Sequence, residues 1–237
     1  MQARQKIAVL VMIAAGWAAT SAAAQTMNLQ EVLKQMDASS AKFQDVKAEI
    51  TVDNYTAVVQ ETETQTGMTA FRRAGGGMEM VTHLKTSSGQ PYADLLYANG
   101  KLEYYSPAQK QETIFSAGAN SGEANSLLAT GFGATGEQLE AGWTVTFDGM
   151  DKSVATASGT PTAKLELVSK NANIRNNYFS KVTIWVDLSR DVTLKQVSEQ
   201  PDGDKRTVTY SDVRTNSRLP GSLFSLKIPS GTQVTRK

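Results

Sequence analysis

Few residues in this 237-residue chain have the types and spacing that chemistry requires. Gly131-Phe132-Gly133-Ala134-Thr135-Gly136 matches G-x-G-x-x-G, the spacing with which a glycine-rich loop cradles phosphate. Such a loop works where a strand enters it and a helix of several turns leaves it. Here the preceding stretch reads as helical and only Glu137 to Ala141 stand before Gly142 and a new strand, so a lid loop is the better reading. His83 is the only histidine, and a general base there would need an activated serine and an orienting acid. No nucleophile-elbow pattern supplies them, so His83 reads as a sheet histidine and no enzyme is expected. Cysteine is absent, which removes disulfides, thiol catalysis and thiolate metal sites. A metal centre would then have to be a carboxylate cage, and Asp202-Gly203-Asp204 is more simply a hairpin turn. No catalytic residue, metal or cofactor is expected.

Apolar and aromatic side chains remain as the functional surface. Phe115, Leu127, Leu128, Phe132 and Trp143 cluster in sequence around a proposed lid, and Trp185 falls on the polar side of its strand. Each taken singly is more simply a core residue. As a set they suggest lipid contact, because a curled sheet too wide to be filled by its own side chains encloses an apolar cavity, and such cavities hold apolar ligands.

The elements that must position these residues are mostly strands. A basic start (Arg4, Lys6), an apolar run from Ile7 to Ala19 and the small-residue end Ser21-Ala22-Ala23-Ala24 form the pattern of a secretory signal peptide, with cleavage expected after Ala24. With neither a second long apolar run nor a cysteine for a lipid anchor, a periplasmic location follows as the expectation. Residues 25–237 then form one domain carrying 22 bases and 23 acids, a balance that recruits neither nucleic acid nor anionic lipid by charge. Asn28 and Glu31 have capping-box spacing ahead of Leu29, Val32, Leu33 and Met36, which predicts an amphipathic helix over Met27 to Phe43. Val46, Ala48, Ile50 and Val52 alternate with polar residues as in a half-buried strand. The same texture recurs at Met78 to Leu84, Trp143 to Phe147, Leu165 to Leu167 and Val182 to Val186. Asn99-Gly100 and Asp202-Gly203 mark hairpin turns. About ten strands in succession predict a mainly β, α+β protein, a single antiparallel sheet strongly curled on itself. Two helical stretches, the N-terminal one and residues 120–140, are available to cover its open side.

The hairpin from Asp94 to Pro107, with Asn99-Gly100-Lys101 and Tyr104-Tyr105-Ser106-Pro107, resembles the D-G-K-x-L-W-x-Y-x-P hairpin of the periplasmic outer-membrane lipoprotein carriers, the LolA family and its broader lipoprotein-sorting relatives. The tail from Leu223 to Val234 is similar to that family's closing F-x-F-x-x-P-x-G-x-x-V, and Phe179 to Asp187 fits its W-x-D strand. The resemblance runs from about Asn28 to Val234. It implies an unclosed, strongly curved β-barrel with a helical lid over an apolar cavity, lined here by Phe115, Leu127, Leu128, Phe132 and Trp143.

Its implied function is to shelter the acyl chains of lipoproteins or related lipids and move them toward the outer membrane. The implied partners are an inner-membrane release complex and an outer-membrane receptor, with the chain itself a monomer. In the carriers an arginine before a proline holds the lid shut. Arg73 takes that place here, as the lid contact, with Ala74 where the proline stands and the looser Gly75-Gly76-Gly77 following. The alternative from another class is a lipid-sensing regulatory module, since a lid over a lipid pocket can equally expose a partner surface.

Overall fold

The computed structural model describes residues 27–75, 77–116, 130 and 132–237. Helix α1 (Leu29–Ser40) opens with the capping box that its sequence predicts. Asn28 Oδ1 accepts from the Glu31 N–H and Glu31 Oε2 accepts from the Asn28 N–H, at 3.1 and 2.8 Å, so two otherwise orphaned donors are satisfied. Its buried face is Val32, Leu33 and Met36.

Six strands follow in a meander, β1 (Asp45–Thr56), β2 (Glu61–Ala74), β3 (Gly77–Thr86), β4 (Pro91–Ala98), β5 (Lys101–Ser106) and β6 (Gln111–Ser116). Between β4 and β5 the turn residues Asn99 and Gly100 have φ of 52° and 70°, the paired positive values that a two-residue hairpin demands. Helix α2 (Gly136–Gly142) leads into β7 (Trp143–Ala155) and β8 (Pro161–Ser169). Helix α3 (Ala172–Asn177) then precedes β9 (Lys181–Asp187), β10 (Val192–Glu199), β11 (Lys205–Thr215) and the short β12 (Gln233–Arg236).

All twelve strands form one sheet in the order β12-β6-β5-β4-β3-β2-β1-β11-β10-β9-β8-β7. The terminal strands β12 and β7 do not pair with each other, so the sheet is strongly curved but unclosed. Register shifts at Lys47/Glu49, Thr193/Lys195 and Leu84/Lys85 add the bulges that bend strands and increase twist. The antiparallel expectation fails at one edge, where β12 runs parallel to β6 from Gln233 opposite Gln111 to Arg236 opposite Ile114. The reason is the route of the tail. Leu219, Leu223, Phe224 and Leu226 pack with Ala70, Val81 and Leu96 on the convex face, so the chain reaches β6 from outside rather than through a hairpin.

Bulk distribution inside the curve is uneven. Over β7 to β9, α1 and α2 bring Val32, Leu33, Met36 and Leu139 against Trp143, Leu165, Leu167, Val182 and Ile184, a closed hydrophobic core. The glycines of the G-x-G-x-x-G stretch serve this packing. A Cβ on Gly136 would stand 2.7 Å from Leu33 Cβ, and one on Gly133, whose φ is +66°, 2.5 Å from Phe43 Cδ1. They let the loop lie against α1 and its exit, and the short α2 that follows supports no nucleotide-binding βαβ unit.

Candidate functional site

Over β1 to β4 and β9 to β11 the concave face is not filled, and a cavity of about 280 Å³ remains. That is just below the ~300–1,000 Å³ usual for small-molecule sites. Its position follows from strand register. The inward residues Arg206, Val208 and Tyr210 of β11 stand opposite Asn54, Val52 and Ile50 of β1. Val52 faces Gln65 of β2, while Thr69 and Phe71 farther along β2 face Thr82 and Met80 of β3. The cavity therefore has a long axis with chemically different ends.

One end is aromatic and dry. The Phe132 ring lies 4.7 Å from Phe71 and 4.9 Å, edge-on, from Tyr210. Both arrangements are favourable for aromatic quadrupoles. Burial pushes the Tyr210 phenol up to about 12, although the Arg206 charge opposes the shift. In the middle, Thr69 and Thr82 satisfy each other at 2.7 Å, and Thr69 Oγ1 also donates to the Val81 carbonyl. The other end carries Arg206 beside Ser198 and Asn54. Arg206 keeps access to water, yet it is surrounded by enough protein for desolvation to lower its pKa, partly offset by Tyr210 and Tyr92. Both are properties of a group on a concave wall.

A second cluster ties Thr130, Phe132 and Gly133 to the barrel. Arg73 donates through Nε to the Phe43 carbonyl at 3.2 Å and through Nη2 to Ser40 Oγ and the Gly133 carbonyl, each at 2.7 Å. Ser40 Oγ also donates to Gly133 O, the Gly133 N–H to Asp191 O, and Thr193 Oγ1 to Thr130 O. Phe132 forms a β-bridge with Val192. The guanidinium sits at the C-terminal end of α1, where a cation also complements the helix dipole. Beneath it Asp191 is 2% exposed with Oδ2 unpartnered, and desolvation pushes its carboxyl up to about 8 despite Arg73 nearby.

The residues named from sequence are dispersed. Phe132 abuts the cavity walls, whereas Trp143 is fully buried in the closed core over β7 to β9 and does not line it. Phe115 is 39% exposed on β6, with Lys237 Nζ 5.8 Å from its ring centre, and does not line it either. The physical reason is position in the sheet order, because β6 is next to an edge and β7 is the other edge. Leu127, Leu128 and the rest of the expected lid before Thr130 lie outside the described residues. Arg73, named as the lid contact, donates to the Gly133 carbonyl. Trp185 stays on the convex face, where Nε1 donates to Asp151 at 2.8 Å. That bond, with those from Ser153, brings the Asp151 carboxyl down to about 2. His83 pairs with Asp94 of the adjacent strand at 2.7 Å, half exposed. Asp204 Oδ1 accepts from the Ala57 N–H, a turn role. Among the described residues no cluster of metal-ligating side chains occurs.

Sequence reasoning missed the residues that do line the cavity, among them Arg206, Thr69, Thr82 and Tyr210. The available signal was period two. Arg206, Val208 and Tyr210 share one face of their strand, and a cation on a face with two apolar neighbours is anomalous.

The fold is thus an unclosed, strongly curved barrel with an unfilled concave half. Solved structures similar to it include an uncharacterized conserved protein from Thermus thermophilus, at 12% identity and a TM-score of 0.52, covering 88% of this chain and 98% of that one. A domain named for outer-membrane lipoprotein sorting, from Vibrio parahaemolyticus, aligns at 14% identity and 0.44, covering 82% and 95%. A LolA superfamily protein from Nitrosomonas europaea aligns at 13% identity and 0.40, covering 84% and 98%. The sequence itself matches no family model and none of the curated proteins.

Proposed function

We propose that this chain is a non-enzymatic carrier in the periplasm that shelters acyl chains of lipoproteins or other lipids and moves them toward the outer membrane. The observation that carries the reading is the unfilled concave half, floored by Phe71 and Met80, with Phe132 packed behind Phe71, and walled by Ile50, Val52 and Val208. Each methylene placed there removes about 0.8 kcal/mol worth of apolar surface from water. At the ~30 Å³ that one water occupies in the liquid, the hollow has room for roughly nine waters. That matches part of one acyl chain, not several at once, and favours small or singly inserted cargo in this conformation. The signal-peptide pattern over residues 1–24 supports the location, and the motif resemblance supports an inner-membrane release complex and an outer-membrane receptor as partners.

Native mass spectrometry of protein purified from a membrane-containing lysate, alongside uptake of a fluorescent acyl probe, tests this. Co-purifying lipid or lipoprotein and saturable uptake are expected; a clean apo mass with no uptake would overturn it. A pull-down from envelope extract separates the readings. A mixed set of lipoproteins supports transport, and one inner-membrane signalling protein supports the lipid-sensing module instead.

A further inference from the structure

We infer that the cavity is an oriented site for a single-chain anionic amphiphile, with its carboxylate or phosphate head on Arg206 and its chain running toward Phe71 and Phe132. The inference rests on the acyl-binding reading and adds a head-group selector to it. Three observations support the direction. Register places Arg206 at one end of the lining and Tyr210, against Phe132, at the other, two positions away on each successive inward residue of β11. Among the described residues Arg206 makes no hydrogen bond or ion pair, and of the described arginines without one, Arg206, Arg218 and Arg236, it alone lines the cavity. Gln65 is 2% exposed, shares the inward face with Val52, and has an unpartnered Nε2 donor.

Arg206 lines the cavity yet reaches water, so its unpaired donors can exchange water for a ligand's oxygens in a charge-assisted bond. Its planar fork matches the two oxygens of a carboxylate or phosphate. Among the described residues no carboxylate pairs with the guanidinium; the groups that act on it electrostatically are the phenols of Tyr210 and Tyr92. A head group seated there would still reach solvent, as a charged group requires.

The test uses the folded protein with three probes of equal chain length, decanoate, decyl phosphate and decanol, each displacing a neutral apolar dye. Wild type should bind at least one anionic probe about tenfold or more tighter than decanol, as charge-assisted bonds in a sheltered site would give. A gain for decanoate alone marks a fatty-acid site, for decyl phosphate alone a phospholipid-derived head, and for both a general anionic head. Arg206→Met should bring the ratio of anionic probe to decanol affinity to about one, and Arg206→Lys should restore part of it. Equal affinity of wild type for all three, or a preference that survives Arg206→Met, would overturn the head-group assignment while leaving acyl binding intact. Failure to bind decanol and the dye as well would overturn the carrier reading with it. The wild-type ratio decides the matter even if the Met variant does not fold.

Discussion

The two halves of the concave face are built on one continuous sheet and have opposite fates. Over β7 to β9, α1 and α2 insert Leu33, Met36 and Leu139 between the strands' own Trp143, Leu165 and Leu167, and the interior is solid. Over β1 to β4, β10 and β11 no described helix descends, and the inward residues include Thr69, Thr82, Ser198 and Arg206, too small or too polar to close the space. Side-chain volume delivered by helices, more than strand composition, decides which half is core and which is hollow. The sharpest way to break this contrast is Trp143→Ala. It should cost about 3–5 kcal/mol in urea unfolding, as large-to-small changes in closed cores do, while acyl-probe affinity per folded molecule stays unchanged. A loss of probe binding with little loss of stability would mean that the halves have been assigned the wrong way round.

Next in size is the seam between the halves. Arg73→Met removes the donors to Phe43 O, Ser40 Oγ and Gly133 O, so the expected loss is about 2–3 kcal/mol. Arg73→Lys should recover only part, because one ammonium cannot serve acceptors that the planar guanidinium spans. Hydrogen exchange at Gly133 and Gly136 should accelerate more than at Leu165. Uniform acceleration would mean that Arg73 holds the whole fold and not the seam.

Asp191 lies at the same seam and gives a smaller, pH-dependent effect. Its groups in reach are Arg73, Asp37 and Ser40. With its native carboxyl pushed up to about 8 from the ordinary carboxylate range, the folded state holds a proton that the unfolded state releases. Stability from this group is therefore full below about pH 4 and declines as pH rises toward 8. Asp191→Asn keeps the positive φ of 54° tolerable and should be the more stable protein at pH 8, by at least ~1 kcal/mol, with a flatter profile between pH 5 and 8. A wild type whose stability rises over that interval would show Asp191 ionised and paired.

The fold was legible in the sequence because its signals are local. The Asn28/Glu31 capping box, the Asn99-Gly100 turn and period-two alternation from Val46 to Val52 each depend on neighbours a few residues away. The parallel β12 was not, because its pairing is set by a tail crossing the convex face from Leu219 to Leu226. The site was legible only in kind. Trp143 and Phe115 were grouped with Phe132 by proximity in sequence, but sheet order sends them to opposite edges. Arg206, far from them in the chain, reaches the hollow through pairing with β1 and β10.

The smallest expected effect probes the hollow half itself. Thr82→Val replaces a hydroxyl by a methyl at nearly constant volume on the cavity wall. Its partner Thr69 keeps its bond to the Val81 carbonyl, so no buried donor is stranded and the loss should stay below about 1 kcal/mol. The added apolar surface faces the ligand, so acyl-probe affinity should rise severalfold, as ~0.8 kcal/mol per buried carbon predicts. The same exchange at Thr162, fully buried in β8 away from the cavity and donating to Val154 O at 2.6 Å, would strand that carbonyl and should cost more with no gain in binding. Equal stability losses at the two threonines, with no change in probe affinity, would erase the distinction between a wall that awaits a ligand and one already packed.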